Sequence, residues 1–264
     1  MWGGTWAPRI IVGSVSLAPL LAPYDHVLLD LDGCVWVGEE PTSRAVEAVD
    51  ALRAAGKGIA FVTNDGRHAT EEFVRKLWRL GFRASLEEVV TVGGALQHVL
   101  ADAAGWETAV VIGSEAIHRH VADAGVREVQ TGADVVVIAG HDRFAYDELR
   151  LAVQAVLGGA AAICSSRDAT FPMPDGPWPG TGPIVAAVEN ATGAEAATIG
   201  KPSPQIFRTA LDRLGPGRAL VIGDRADTDL AGATAAGLDG ALVGGERSDA
   251  AVACAATLAD VVLA

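Results

Sequence analysis

Short apolar runs that end in a turn or a charge, separated by stretches of helical periodicity, recur along this chain and leave it few folds to adopt. HVLLDLD (26–32), GIAFVTN (58–64), TAVVIGS (108–114), ADVVVIAG (133–140), AAAICSS (160–166) and RALVIGD (218–224) read as strands. Between the first two, the pattern predicts a helix over 43–55, with Pro41, Thr42 and Ser43 as start signals and Gly56 as its stop. A second helix is predicted over 70–80. Glu71 and Glu72 suit its positive end, and Gly81 closes it. Strand and helix in alternation imply a parallel sheet and an α/β fold.

The rhythm then restarts as a second α/β unit, with helices predicted up to 124 and through YDELRLAVQAVLGG. The segments AATIGKPSPQIF, ALVIGDRADTDLAGATAAG and GALVGG resume the first unit. The arrangement predicted is a discontinuous core over 1–86 and 186–264, with 1–23 as an N-terminal extension and an inserted domain over 87–185.

The formal charge of −13 and the lack of any Lys/Arg cluster argue against nucleic acid as a partner. Cys34, Cys164 and Cys254 are odd in number and fit no zinc pattern, so they read as free thiols in a reducing, cytoplasmic setting. The start, MWGGTWAPRIIVGSVSLAPLLAPYD, is apolar, but it contains prolines and lacks an A-x-A cleavage site. It is shorter than the roughly 20 apolar residues of a membrane span. An extension, with no membrane association, is the expectation.

Carboxylates mark the strand ends. Asp30 and Asp32 follow the first apolar run, and Gly33 lets the chain turn sharply behind them. Asp224 and Asp229 follow another run, so four carboxylates can meet at one sheet edge. Two unit charges about 4 Å apart repel by roughly 4 kcal/mol at an effective dielectric of 20, so such a cluster calls for a cation. Mg2+, which seeks hard oxygen ligands, is the natural one. Thr63, Asn64 and Lys201 fall in two further strand-end segments, and hydroxyl, N–H and ammonium groups together can hold a phosphate. His118 and His120 do not share a helix face at i, i+4 and read as solvated.

In order, DLDGCVW, FVTND, GKPSPQIF and GDRADTD resemble the four motifs of the haloacid dehalogenase (HAD) superfamily of phosphohydrolases. The insert, and the segment RDATFPMPDGPWPGTGPIVAAVENATG, resemble the NagD-like branch, subfamily IIA, with a C2 cap. The resemblance covers about 24–264. It implies a Rossmann-like core with an α/β C2-type cap, and a Mg2+-dependent phosphatase of a small phosphorylated metabolite: a sugar phosphate, glycerol phosphate, phosphoglycolate or nucleotide. It implies that Asp30 is the nucleophile, forming an aspartyl phosphate, and that Asp32 is the general acid and base. The same resemblance assigns Mg2+ to Asp30, the Asp32 carbonyl and Asp224, with Asp229 completing the metal site through water or Lys201, and the phosphoryl oxygens to Thr63, Asn64 and Lys201.

The acid step calls for an Asp32 that is partly buried and holds its proton near neutrality. Arg67, His141, Arg143 and Arg167 lie in loops that the cap can bring over the site, as do His68, Asp142 and Asp168. Relatives commonly pair through this cap, which implies a possible homodimer. Asp65 and Gly66 depart from the family's T-N-N-S, and a thiol, Cys34, sits beside the reaction centre without a catalytic role. Three rivals stay open: a phospho-accepting receiver-type module, a haloacid dehalogenase, and an inactive binding protein.

Overall fold

The structure, a computed structural model, describes residues 16–173 and 176–264, so most of the N-terminal extension lies outside it. Six strands form one parallel sheet, in the spatial order Ala253–Cys254, Asp239–Leu242, Ala219–Gly223, His26–Asp30, Gly58–Thr63, Val89–Thr91. Successive residues of the first strand face opposite ways. Val27 and Leu29 join Phe61 and Ile222 in one buried cluster, while Leu28 joins Ala60, Val62 and Val221 in another. Burial on both faces is why these strands read as unbroken apolar runs. Each Leu or Val so buried contributes about 1.5–3 kcal/mol.

A second parallel sheet has the order Ala197–Thr198, Ala161–Cys164, Val135–Ile138, Thr108–Ile112, Arg127–Glu128. Its outer face packs on helices Tyr146–Leu157 and Thr181–Thr192 through Val136, Ile138, Ala152 and Val185. Through Val135 and Val137, the inner face belongs to the same cluster as Leu28, Ala60 and Phe207 of the first unit. The two units therefore share a continuous apolar core.

The domain boundaries move from those predicted. Val89–Thr91, assigned to the insert by the boundary at 86, is the edge strand of the first sheet. Helix Thr181–Thr192 and strand Ala197–Thr198, divided from the insert by the boundary at 186, pack on and pair with the second sheet. The sequence carries no turn signal between strand Val89–Thr91 and the helix Val92–Asp102 that follows it directly.

That helix went unpredicted because Gly93 and Gly94 lower its propensity. Thr91 caps it, its Oγ1 accepting from Gly94 N at 3.1 Å. Gly93 is there for packing, since a Cβ would lie 2.5 Å from the His120 ring. His120 is accordingly half-buried rather than solvated. It hydrogen-bonds Gln97 at 2.8 Å, and burial pulls its pKa down. His118 pairs with Glu128 at the surface.

Helix Ala45–Ala54 starts two residues later than expected. Arg44 precedes it in a left-handed conformation, and no side chain caps it. Thr42 is used elsewhere, donating its hydroxyl to the Cys34 carbonyl at 2.7 Å. Helix Thr70–Arg79 matches the expectation closely, with Glu72 accepting from Ala69 N at 2.8 Å.

Candidate active site

From the first strand the chain builds the sheet outward through Gly58–Thr63 to Val89–Thr91. It then returns to build the other half through Ala219–Gly223. His26–Asp30 and Ala219–Gly223 are neighbours at this switch in direction, and the crevice outside their carboxyl ends is where such sheets bind ligands. Asp30, Thr63 and Asp224 all stand at this edge.

Lys201 is its centre. Nζ donates to Asp30 Oδ1 and, at 2.7 Å, to Asp229 Oδ1, and all three residues are buried. Burial alone would lower the lysine pKa, but Asp229 and Asp30 outweigh it and hold the ammonium charged. Burial, and after it Asp229 and Asp224, push the Asp30 carboxyl well above the usual carboxylate range, against the pull of Lys201. Asp224 is raised by burial and by Asp229.

Asp30, Asp224 and Asp229 each offer a carboxylate oxygen, and these oxygens lie within 4.8 Å of one another. Three carboxylates against one ammonium leave a formal charge of −2, which a divalent ion balances. The donors are all hard oxygens, so the site fits Mg2+. Two glycines make room for these carboxylates. A Cβ on Gly33, whose φ is +88°, would lie 2.1 Å from Asp224 Oδ2, and one on Gly223 would lie 2.2 Å from Asp229 Cγ. Asp229 enters from a π-helical turn, Ala226–Leu230, and also accepts from Arg225 N at 3.1 Å.

Thr63 is buried at the cleft floor, its Oγ1 accepting from Asp65 N at 3.1 Å. The side chain of Asn64 turns to the lysine. Its Oδ1 accepts from Lys201 N at 2.7 Å, and its Nδ2 donates to Lys201 O at 2.9 Å. The amide thus clamps the lysine's backbone, and a Cβ on Gly200 would lie 2.5 Å from it.

Asp32 is exposed to the cleft rather than partly buried as expected. It accepts from the Trp36 indole at 2.8 Å. Cys34 is fully buried beneath the site with Sγ toward the Ile222 carbonyl. Burial, then the carboxylates Asp30, Asp229 and Asp224, push its thiol well up, which makes it a poor nucleophile.

The cleft encloses about 1220 Å³ between the two units. Arg67 and His141 line it; Arg143 and Arg167 do not. Arg143 is exposed outside the cleft. Arg167 is held by Glu189, the Ala196 carbonyl and Thr198, and so braces the inserted unit. His141 pairs with Glu148 at 2.8 Å.

Reading the sequence missed an antiparallel hairpin, Thr170–Met173 with Gly176–Pro179, whose prolines obscure its strands. The sequence P-D-G at 174–176 was the available signal. The hairpin brings Phe171 under the Arg67 guanidinium, 4.0 Å from the ring centroid, and Trp178 to the cleft wall. Arg225, also missed, reaches from the core to Asp168 at 3.2 Å.

The departures at 65 and 66 have structural reasons. Gly66 sits where a Cβ would lie 3.2 Å from Ile117 and Val92, and its carbonyl accepts from Ser114 of the inserted unit at 2.9 Å. Asp65 accepts from Arg67 N, the Arg67 guanidinium and His68. Burial would raise its pKa, but these bonds from His68 and Arg67 hold it down to about 2.

Because that folded pKa is depressed, Asp65 stabilises the fold above the ordinary carboxylate pKa of 3.8, and the contribution is lost as pH falls toward 2. Asp65→Asn is expected to cost about 2 kcal/mol at pH 6 and progressively less below pH 4. Denaturant melts of both proteins across that range check the convergence.

A family model described as haloacid dehalogenase-like hydrolase matches residues 27–127, and a HAD-hydrolase-like model matches 198–263. The chain is 37% identical over 224 residues to D-glycerol 3-phosphate phosphatase of Mycobacterium tuberculosis, an alignment covering 83% of this chain but only 63% of that protein. It is 31% identical to the acid sugar phosphatase of Staphylococcus aureus, covering 82% of this chain and 85% of the relative. The crystal structure of a glycerol phosphate phosphatase from M. tuberculosis in complex with magnesium superposes with a TM-score of 0.79 at 37% identity, over 86% of this chain and 69% of that one. Matched by these family models and at least 31% identical to these relatives over four-fifths of its length, the chain belongs to the haloacid dehalogenase-like hydrolase family.

Proposed function

We propose that this protein is a Mg2+-dependent phosphatase of a small phosphorylated metabolite, of the polyol or sugar phosphate type, working through an aspartyl phosphate on Asp30. The observation that carries the reading is the trio Asp30, Asp224 and Asp229 gathered around the Lys201 ammonium at the floor of an open cleft. The relatives named as phosphatases of glycerol 3-phosphate and of sugars support the substrate class.

In this reading, Asp30 attacks phosphorus while Thr63 and Lys201 hold the phosphoryl oxygens. Asp32 protonates the leaving oxygen and then takes a proton from the water that releases phosphate. Mg2+, held by Asp30, the Asp32 carbonyl, Asp224 and Asp229, would neutralise phosphoryl charge. Lys201 is immobilised by two carboxylates and by Asn64, so it is already in place when charge moves. Gly140, His141 and Phe144 of the inserted unit line the cleft together with the core residues.

A panel of phosphomonoesters assayed with Mg2+ and with EDTA tests the proposal. Phosphate release from polyol or sugar phosphates that stops with EDTA is expected. Hydrolysis of haloacids that survives EDTA would establish the dehalogenase instead.

A cytoplasmic location and pairing through the inserted unit belong to the same reading. Three unbonded thiols support the first, and Tyr146 and Leu157, exposed on one helix of that unit, support the second. Cell fractionation and light scattering check them.

A further inference from the structure

Asp32 is the least enclosed of the catalytic groups. Asp30, Asp229 and Lys201 are buried and bonded to one another, whereas Asp32 is exposed in the cleft. A carboxyl on an open wall samples several rotamers, and proton transfer tolerates little misplacement. Among the described residues one side-chain hydrogen bond restrains it: the Trp36 indole Nε1 donates to Asp32 Oδ1 at 2.8 Å.

The donor is itself rigid. After Asp32 the chain curls back, with Gly33 N donating to Trp36 O at 2.7 Å and Trp36 N donating to Leu31 O at 3.1 Å. Residues 32 and 36 form an isolated bridge. The indole is fully buried, packed in the cluster that holds Leu31, Val35 and Phe73. Lys76 Nζ lies 4.4 Å from its ring centroid, and Glu39 holds that ammonium at 3.5 Å.

We infer that Trp36 is a positioning residue that fixes the Asp32 carboxyl through Oδ1, leaving Oδ2 as the atom that moves the proton in both half-reactions. This deepens the phosphatase reading and rests on it. An indole N–H donates and cannot accept, so Oδ1 is committed as an acceptor. In the first half-reaction an Asp30 oxygen bonds to phosphorus, the bond from phosphorus to the leaving oxygen breaks, and that oxygen takes the proton from Oδ2. In the second, Oδ2 takes a proton from water as the water oxygen bonds to phosphorus. The bond from Asp30 to phosphorus then breaks, freeing phosphate and the carboxylate.

The test uses the full chain with Mg2+ and two esters, glycerol phosphate and p-nitrophenyl phosphate, whose leaving group departs without protonation. Trp36→Phe keeps the buried ring and removes the N–H. It is expected to lower kcat on glycerol phosphate by about 10- to 100-fold, less than the roughly 10²- to 10⁴-fold that general acid–base catalysis contributes in full, because the carboxyl is misplaced and not removed. On the aryl ester it should give a burst of one nitrophenolate per site followed by slow turnover, because only water activation is then impaired. Inhibition by inorganic phosphate should change less than twofold. In an Asp32→Asn background the Trp36 change should cost nothing further.

Wild-type kcat on glycerol phosphate, or an undiminished loss in the Asp32→Asn background, overturns the assignment. Should Trp36→Phe fail to fold, the indole Nε1–H resonance of Trp36 in the otherwise native chain decides the matter. It should move on Asp32→Ala, and a stationary signal overturns the inference. A wild-type chain that turns over neither ester sinks the phosphatase reading instead, while the resonance still reports on the contact.

Discussion

Asp30→Asn is expected to reduce phosphomonoester turnover by at least about 10⁴-fold, as when other nucleophiles are removed, and to leave no phosphorylated chain on rapid quenching. The substitution is isosteric, so the loss cannot be assigned to altered shape. An amide nitrogen or oxygen is too weak a nucleophile to replace the carboxylate. Folding should survive, because Lys201 keeps Asp229 at 2.7 Å and one carboxylate of a crowded trio is removed.

The pH dependence carries the sign of that crowding. The Asp30 carboxyl is raised in the folded protein, so its folded state holds the proton more tightly than the unfolded chain does. Without metal, the wild type should lose stability as pH rises from the ordinary carboxylate range through the raised value, and Asp30→Asn should lack that part of the loss. Thermal melts in EDTA measure it. Turnover undiminished in the variant would refute the nucleophile assignment.

Lys201→Met should remove activity and also destabilise the fold by about 3–5 kcal/mol, the usual result of taking one partner from a buried ionic group. The side chain is 5% exposed and its two carboxylate partners 9% and 3%, so water cannot screen the charges left behind. Metal should return part of the stability, because the vacated charge balance falls to the divalent ion. Lys201→Arg should rescue little, since a planar fork does not fill the place of a compact ammonium between two carboxylates. Urea melts with and without Mg2+ separate the two contributions. A variant as stable as the wild type in EDTA would show that the buried pair carries no net weight.

The candidate site was readable because its chemistry is local in sequence. Asp30, Asp32, Thr63, Asp224 and Asp229 each follow an apolar strand, and strand ends of a parallel sheet meet at one edge. What stayed unread depends on which partner a side chain meets. Asn64 and Lys201 are 137 residues apart, so nothing nearby reveals that the amide serves the lysine's backbone. Arg167 has a charge suited to phosphate, but Glu189 and Thr198 claim it. Gly93 looked like a helix breaker, whereas His120 on the next helix requires its missing side chain. The units' limits slipped for a related reason: strand pairing decides membership, and Ala197–Thr198 pairs with Ile163 and Cys164.

The exit from the inserted unit passes directly into the buried Lys201. Ile199 N and Gly200 N still bond to Cys164 and Ser165 of the second sheet, while Lys201 N bonds to Asn64 of the first. Allegiance changes across a single peptide unit, so at this crossing there is no slack in the tether. The place of the ammonium at the floor is therefore set from two sides at once, by the second sheet through residues 199 and 200 and by the first through the Asn64 clamp.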